Sequence, residues 1–123
     1  MDFVQHDGGR NKYYKGGRIG DCVIRAIALG TEQDYKTVYM ELMSRAIIAG
    51  SMPNEDRVWK RYLKDLGWVE TKLGRSAVDL KDTKLPNKCI AVTSGHLCAV
   101  INNTLLDNWD GRFRKCWRYW TKS

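Results

Sequence analysis

Cys22-Val23-Ile24-Arg25-Ala26-Ile27-Ala28-Leu29 contains one polar side chain, Arg25, in eight residues. Asp21 precedes it as a candidate N-cap, and Gly30 follows as a candidate stop. A helix apolar nearly all round has no face for water and must be buried. That constrains the fold: the rest of this chain has to be built around residues 22–29. The same helix carries a cysteine at its N-terminal end.

Downstream, two more helices are predicted. Thr31-Glu32-Gln33-Asp34 reads as a capping box. Tyr35, Val38, Tyr39, Leu42, Met43, Ala46 and Ile47 follow at helical spacing, and Gly50 ends the run. Asn54 is placed to cap a third helix with Glu55 and Asp56 in its first turn. Val58, Trp59, Tyr62, Leu63 and Leu66 form its apolar stripe, and Gly67 stops it. Arg57, Lys60, Arg61 and Lys64 make the opposite, solvated face. Residues 68–72 read as a short strand and Ser76 to Asp79 as one more capped turn.

Beyond Pro86 the pattern changes to alternation. Cys89–Val92, Leu97–Ile101, Thr104–Trp109 and Lys115–Trp120 read as strands. Helices first and strands later predict an α+β domain over 1–123, with helices packed on a C-terminal antiparallel sheet. Residues 1–17, rich in Gly, Lys and Arg, are predicted as an irregular N-terminal arm. At 123 residues and 43% apolar composition, one core without covalent staples is expected. No stretch approaches the roughly 18 apolar residues of a membrane span, and the acidic start Met1-Asp2-Phe3 is unlike a signal peptide. A cytoplasmic, reducing setting with four free thiols is the expectation. No Cys-x-x-Cys pair is present, so no metal and no cofactor is predicted.

Asn tolerates positive φ, so Asn102-Asn103 can form a two-residue hairpin turn. Val100 then faces Leu105, Cys98 faces Asp107, and His96 faces Trp109. His96, Cys98, Asp107 and Trp109 share one side of the sheet, with Asp107 the diagonal neighbour of His96. A three-residue turn instead shifts the register by one and brings Asn108 to His96. A thiol, an imidazole and an orienting carboxylate are the parts of a cysteine nucleophile. The helix N-terminus and a nearby imidazolium favour the thiolate of Cys22. His96 is the candidate acid and base, Asp107 its orienting group, and Trp109 a shield for the bond between them. The backbone N–H of Cys22 is a candidate oxyanion donor. Cys89 and Cys116 read as buried fillers.

At these residues the chain resembles the papain-like cysteine peptidase superfamily. Gly20-Asp21-Cys22 at the start of an apolar helix is similar to its nucleophile helix. Leu106-Asp107-Asn108-Trp109-Asp110 is similar to its Asn-Ser-Trp-Gly segment. An Asp in the orienting position is similar to bacteriocin-processing peptidases and transglutaminases. The layout also resembles small papain-like proteins of bacteriophages. The resemblance implies a thiol hydrolase acting on an amide, isopeptide or related acyl bond of a protein or peptide-like substrate. A phage-encoded protein acting in the host cytoplasm, on a phage or host protein, is its implied context. The family's oxyanion glutamine, six residues before the nucleophile, is Gly16 here. Gln5, His6, Asn11 and Arg18 are the nearby candidates for that donor.

The net charge of +7 supports a second function class. Arg112, Arg114, Lys115 and Arg118 interleave with Phe113, Trp117, Tyr119 and Trp120. Alternating cations and aromatics suit phosphates and stacked bases. A non-catalytic binding module for nucleic acid or an acidic host protein, on the same fold, is therefore the alternative expectation. A retired peptidase fold with a structural or inhibitory role is a third.

Overall fold

The computed structural model describes residues 1–15 and 19–122. Among the described residues the fold is α+β, with three α-helices on one face of a six-stranded mixed sheet. Its elements in order are β1 (Asp2–Gln5), α1 (Cys22–Thr31), α2 (Tyr35–Ala49), α3 (Asp56–Asp65), β2 (Val69–Lys72), β3 (Lys88–Thr93), β4 (His96–Ile101), β5 (Thr104–Asp107) and β6 (Arg118–Thr121). The strand order is β1-β5-β4-β3-β6-β2.

Helix α1 is buried almost throughout, as its composition requires. Val23, Ile24 and Ile27 pack with Ile90 of β3, Leu97 of β4 and the buried faces of α2 and α3. Full burial of a side chain such as Ile27 contributes roughly 1.5–3 kcal/mol. A Cβ on Gly30 would lie 2.7 Å from Ile90 Cγ1, so the helix reaches the sheet only because that side chain is missing. Trp59 of α3 meets Trp120 of β6 edge-on at 5.9 Å, both fully buried. A second core covers the other face of the sheet. There Cys89, Ala91, Cys98, Val100, Leu105 and Cys116 pack with Leu80, Phe3 and Met1. Among the described residues no helix is long and apolar enough to cross a membrane.

The β4–β5 hairpin turns on two residues, Asn102 (φ 50°) and Asn103 (φ 58°). Val100 consequently faces Leu105, and Ala99 faces Leu106. The turn count made from sequence is the one that sets the register.

Several local expectations differ. The N-terminal arm is not wholly irregular: Asp2–Gln5 adds to the outer edge of β5, and does so in parallel, so the sheet is mixed rather than antiparallel. The free edge of β5 offers a row of unpaired backbone groups, which this strand satisfies. Asp21 makes no capping hydrogen bond to the α1 backbone, because its carboxylate is taken by buried side chains described below. Asp34, not Thr31, caps α2 by accepting from Lys36 N. Glu55 rather than Asn54 is the residue before α3. Ser76 to Asp79 is bracketed by single 3-10 turns at Gly74–Ser76 and Leu80–Asp82.

Candidate active site

Three elements meet at the site. Cys22 is the first residue of α1, His96 the first of β4, and Asp107 the last of β5. The hairpin register brings His96 Nε2 to 2.6 Å from Asp107 Oδ2. Trp109 lies over the imidazole, its ring centroid 4.8 Å away and tilted by 42°. Asp107 is 3% exposed, so the bond is closed from water on the carboxylate side. Asn108 turns elsewhere, its side-chain oxygen accepting from Arg25 Nη2 at 3.3 Å. The register thus selects Asp107 over Asn108 as the imidazole's partner.

Cys22 and His96 line the same cavity, and each displaces the other's titration. Burial pushes the Cys22 thiol up, but His96, a backbone hydrogen bond from Leu97 and the charge of Arg25 outweigh it, and the net displacement is downward. Burial pushes His96 down, and the hydrogen bonds to Asp107 and Cys22 overcome it, raising the ring to about 9. Both displacements favour the proton on the ring and the charge on sulfur. With Nε2 committed to Asp107, Nδ1 is the ring nitrogen left for other groups. The other cysteines behave oppositely. Burial pushes Cys89 up to about 12, Cys98 well above its ordinary value, and Cys116 upward. Cys98 sits close enough to Asp107 to feel its charge, yet it is buried on a strand, 3% exposed.

The thiol and imidazole open onto a cavity of about 410 Å³. Its lining includes Gly20, Val23, Asn54, Trp59, Ser94, Trp117 and Arg118. The Cys22 N–H lies in the first turn of α1, where a helix supplies no internal acceptor. Gln5 and Asn11 are not part of this lining. Gln5 ends β1, in register with Asp107, with its side chain exposed. Asn11 sits in a 3-10 turn, its N–H donating to Asp7 Oδ2. His6 accepts from Gly8 N through its own ring. None of these three lines the cavity. Gly16 and Arg18 lie outside the described residues.

The residue that sequence reasoning passed over is Arg25. It is 6% exposed and bonds to Asp21 one turn earlier on α1. Its Nη2 also reaches Asp107 Oδ1 at 3.4 Å. Tyr35 donates to Asp21 Oδ2 at 2.7 Å, and Arg10 donates to Tyr35 at 3.0 Å. Burial and Asp21 push the Tyr35 hydroxyl up to about 12, which keeps it a donor. Behind the imidazole–carboxylate pair there is thus a buried chain of charges and hydroxyls. Gly8 lets the N-terminal arm close over it: a Cβ there would stand 2.9 Å from Arg25 Cα, and φ is +71°. The available signal was the single charge in an otherwise apolar helix, since a buried arginine needs carboxylates.

The basic C-terminal set is partly neutralised. Arg112 pairs with Asp110 at 2.8 Å and donates to Met1 O. Arg118 donates to Glu70 of β2 at 3.3 Å. Arg114 and Lys115 have no carboxylate partner among the described residues; they lie over the Trp109 and Trp117 rings. Counting charges along residues 111–123 missed carboxylates supplied from outside that window. Among the described residues no group of three or more His, Cys, Asp or Glu is arranged to hold a metal ion. No known protein family, curated protein or solved structure matches the chain.

Proposed function

We propose that this protein is a papain-like thiol hydrolase that cleaves an amide, isopeptide or related acyl bond through Cys22, His96 and Asp107. The observation that carries the reading is geometric: Cys22, at the N-terminus of α1, lines one cavity with His96, whose Nε2 lies 2.6 Å from Asp107 Oδ2. The thiol displacements agree in direction, Cys22 downward and Cys89, Cys98 and Cys116 upward.

In the reaction, His96 Nδ1 holds the proton from Cys22. The thiolate attacks the acyl carbon, and the carbonyl oxygen gains the negative charge, with the Cys22 N–H as donor. Collapse breaks the bond to the leaving group, which takes its proton from His96 and departs as amine or alcohol. A thioester remains on Cys22. Water, deprotonated by His96, attacks that thioester and releases the carboxylic acid and the free thiol. An amine in place of water gives acyl transfer by the same steps. Asp107 holds the ring angle and stabilises the imidazolium, and Trp109 keeps water from their bond.

A small activated ester tests the chemistry without a known substrate. Mixed with p-nitrophenyl acetate, the wild type is expected to gain one acetyl group on Cys22 and then lose it, releasing nitrophenol catalytically. Cys22→Ser and His96→Ala should abolish turnover. Acetylation spread over several thiols, or turnover retained in both variants, contradicts the proposal.

A further inference from the structure

The charges around the cavity are unevenly paired. The carboxylates there and nearby are matched. Asp110 is held by Arg112 at 2.8 Å, and Glu70 by Arg118 at 3.3 Å and Lys60 at 3.8 Å. Asp56, on the cavity lining, is held by Lys60 at 3.5 Å. Arg114 and Lys115 do not line the cavity, but they cover rings beside it and have no carboxylate partner among the described residues. Both are exposed, and both are anchored rather than free. Arg114 lies over Trp109 at 5.5 Å, and Trp109 packs on the His96 ring. Lys115 lies over Trp117 at 5.1 Å; Trp117 lines the cavity and donates its indole N–H to Ser94.

Two ligand chemistries use cations next to aromatic rings. Nucleobases need an open ring face for stacking. Trp109 is engaged by both Arg114 and His96, and Trp117 carries Lys115 on one face. Carboxylates need only the outward ends of those cations. An aromatic support also reduces the side-chain freedom lost when an ion pair forms.

Resting on the thiol-hydrolase reading, we infer that the substrate is an acidic polypeptide segment, whose Asp or Glu side chains next to the cleaved bond are received by Arg114 and Lys115. The overall charge of +7 favours the same encounter at longer range.

Two peptide chloromethyl ketones of equal length test this, one with two Glu residues and one with two Gln residues flanking the reactive end. Their rates on Cys22 are followed by intact mass. The Glu probe is expected to react about 3- to 10-fold faster, as two exposed ion pairs provide, with the advantage shrinking as salt rises. Within Arg114→Gln/Lys115→Gln the Glu-to-Gln ratio should fall to about 1. Within Lys36→Gln/Lys64→Gln, which removes equal charge from the helices, it should persist. Equal rates in the wild type, or a ratio unchanged by the Arg114 and Lys115 substitutions, overturns the inference. In Cys22→Ala, fluorescence anisotropy with a non-reactive Glu-rich peptide reads the same recognition without chemistry. If neither chloromethyl ketone modifies Cys22 but that peptide binds through Arg114 and Lys115, only the hydrolase reading fails. Tight binding of a single-stranded oligonucleotide through these residues, without preference for the Glu peptide, overturns acidic-peptide recognition in favour of nucleic acid.

Discussion

Replacing Asp107 by Asn removes one charge while keeping the shape of the group that His96 Nε2 meets at 2.6 Å. The ring is raised from its ordinary 6.5 to about 9, which at about 1.4 kcal/mol per tenfold amounts to about 3 kcal/mol favouring the imidazolium. Burial opposes that rise, and Asp107 is the strongest of the partners that produce it. Loss of its charge should therefore bring His96 down to about 7 or below. The sign for stability follows: the folded-state value lies above the unfolded one, so this contribution is full below pH ~6.5 and is lost as pH rises through ~9. The chain has two histidines, so an NMR titration of the ring carbons needs one assignment, readily made with His6→Ala. The wild type should show one ring titrating near 9, and Asp107→Asn should move that midpoint down by more than one pH unit. A wild-type His96 that titrates near 6.5, or a midpoint unmoved by the substitution, refutes the reasoning.

Arg25→Met leaves Asp21 and Asp107 buried without their shared cation, and about 3–5 kcal/mol of stability should be lost in urea unfolding; a loss below 1 kcal/mol would show that the arginine is not required. Gly30→Ala drives a methyl into Ile90, and thermal unfolding should show a cost of about 1–3 kcal/mol. Asn103→Gly relieves a residue at φ 58° and should raise stability by a few tenths of a kcal/mol; destabilisation would mean that the Asn side chain has a role in the turn.

Legibility in the sequence followed the strength of each local signal. The stripe Val58, Trp59, Tyr62, Leu63 repeats at helical spacing, and all four side chains are buried. Asn102-Asn103 admits positive φ, and counting outward from it gave the pairing that joins His96 to Asp107. Strand β1 left no comparable trace. Four residues, with only Phe3 packed on the core, are too few for alternation to register. Its parallel partner is also a hundred residues away. Asp21 was read by its position before a helix, yet a buried guanidinium on the next turn binds a carboxylate more strongly than a backbone N–H does. The pairing of Arg118 with Glu70 depends on β2 lying beside β6, which no local pattern encodes.

The reactivity of Cys22 across pH tests the central claim most directly. Iodoacetamide labelling, mapped to each cysteine, should show Cys22 reacting at a pH below that of an ordinary thiol, and faster than Cys89, Cys98 and Cys116. His96→Ala should return its midpoint toward the ordinary value of 9.0 or above. A Cys22 that titrates like an unperturbed thiol, with no response to loss of the imidazole, contradicts the claim.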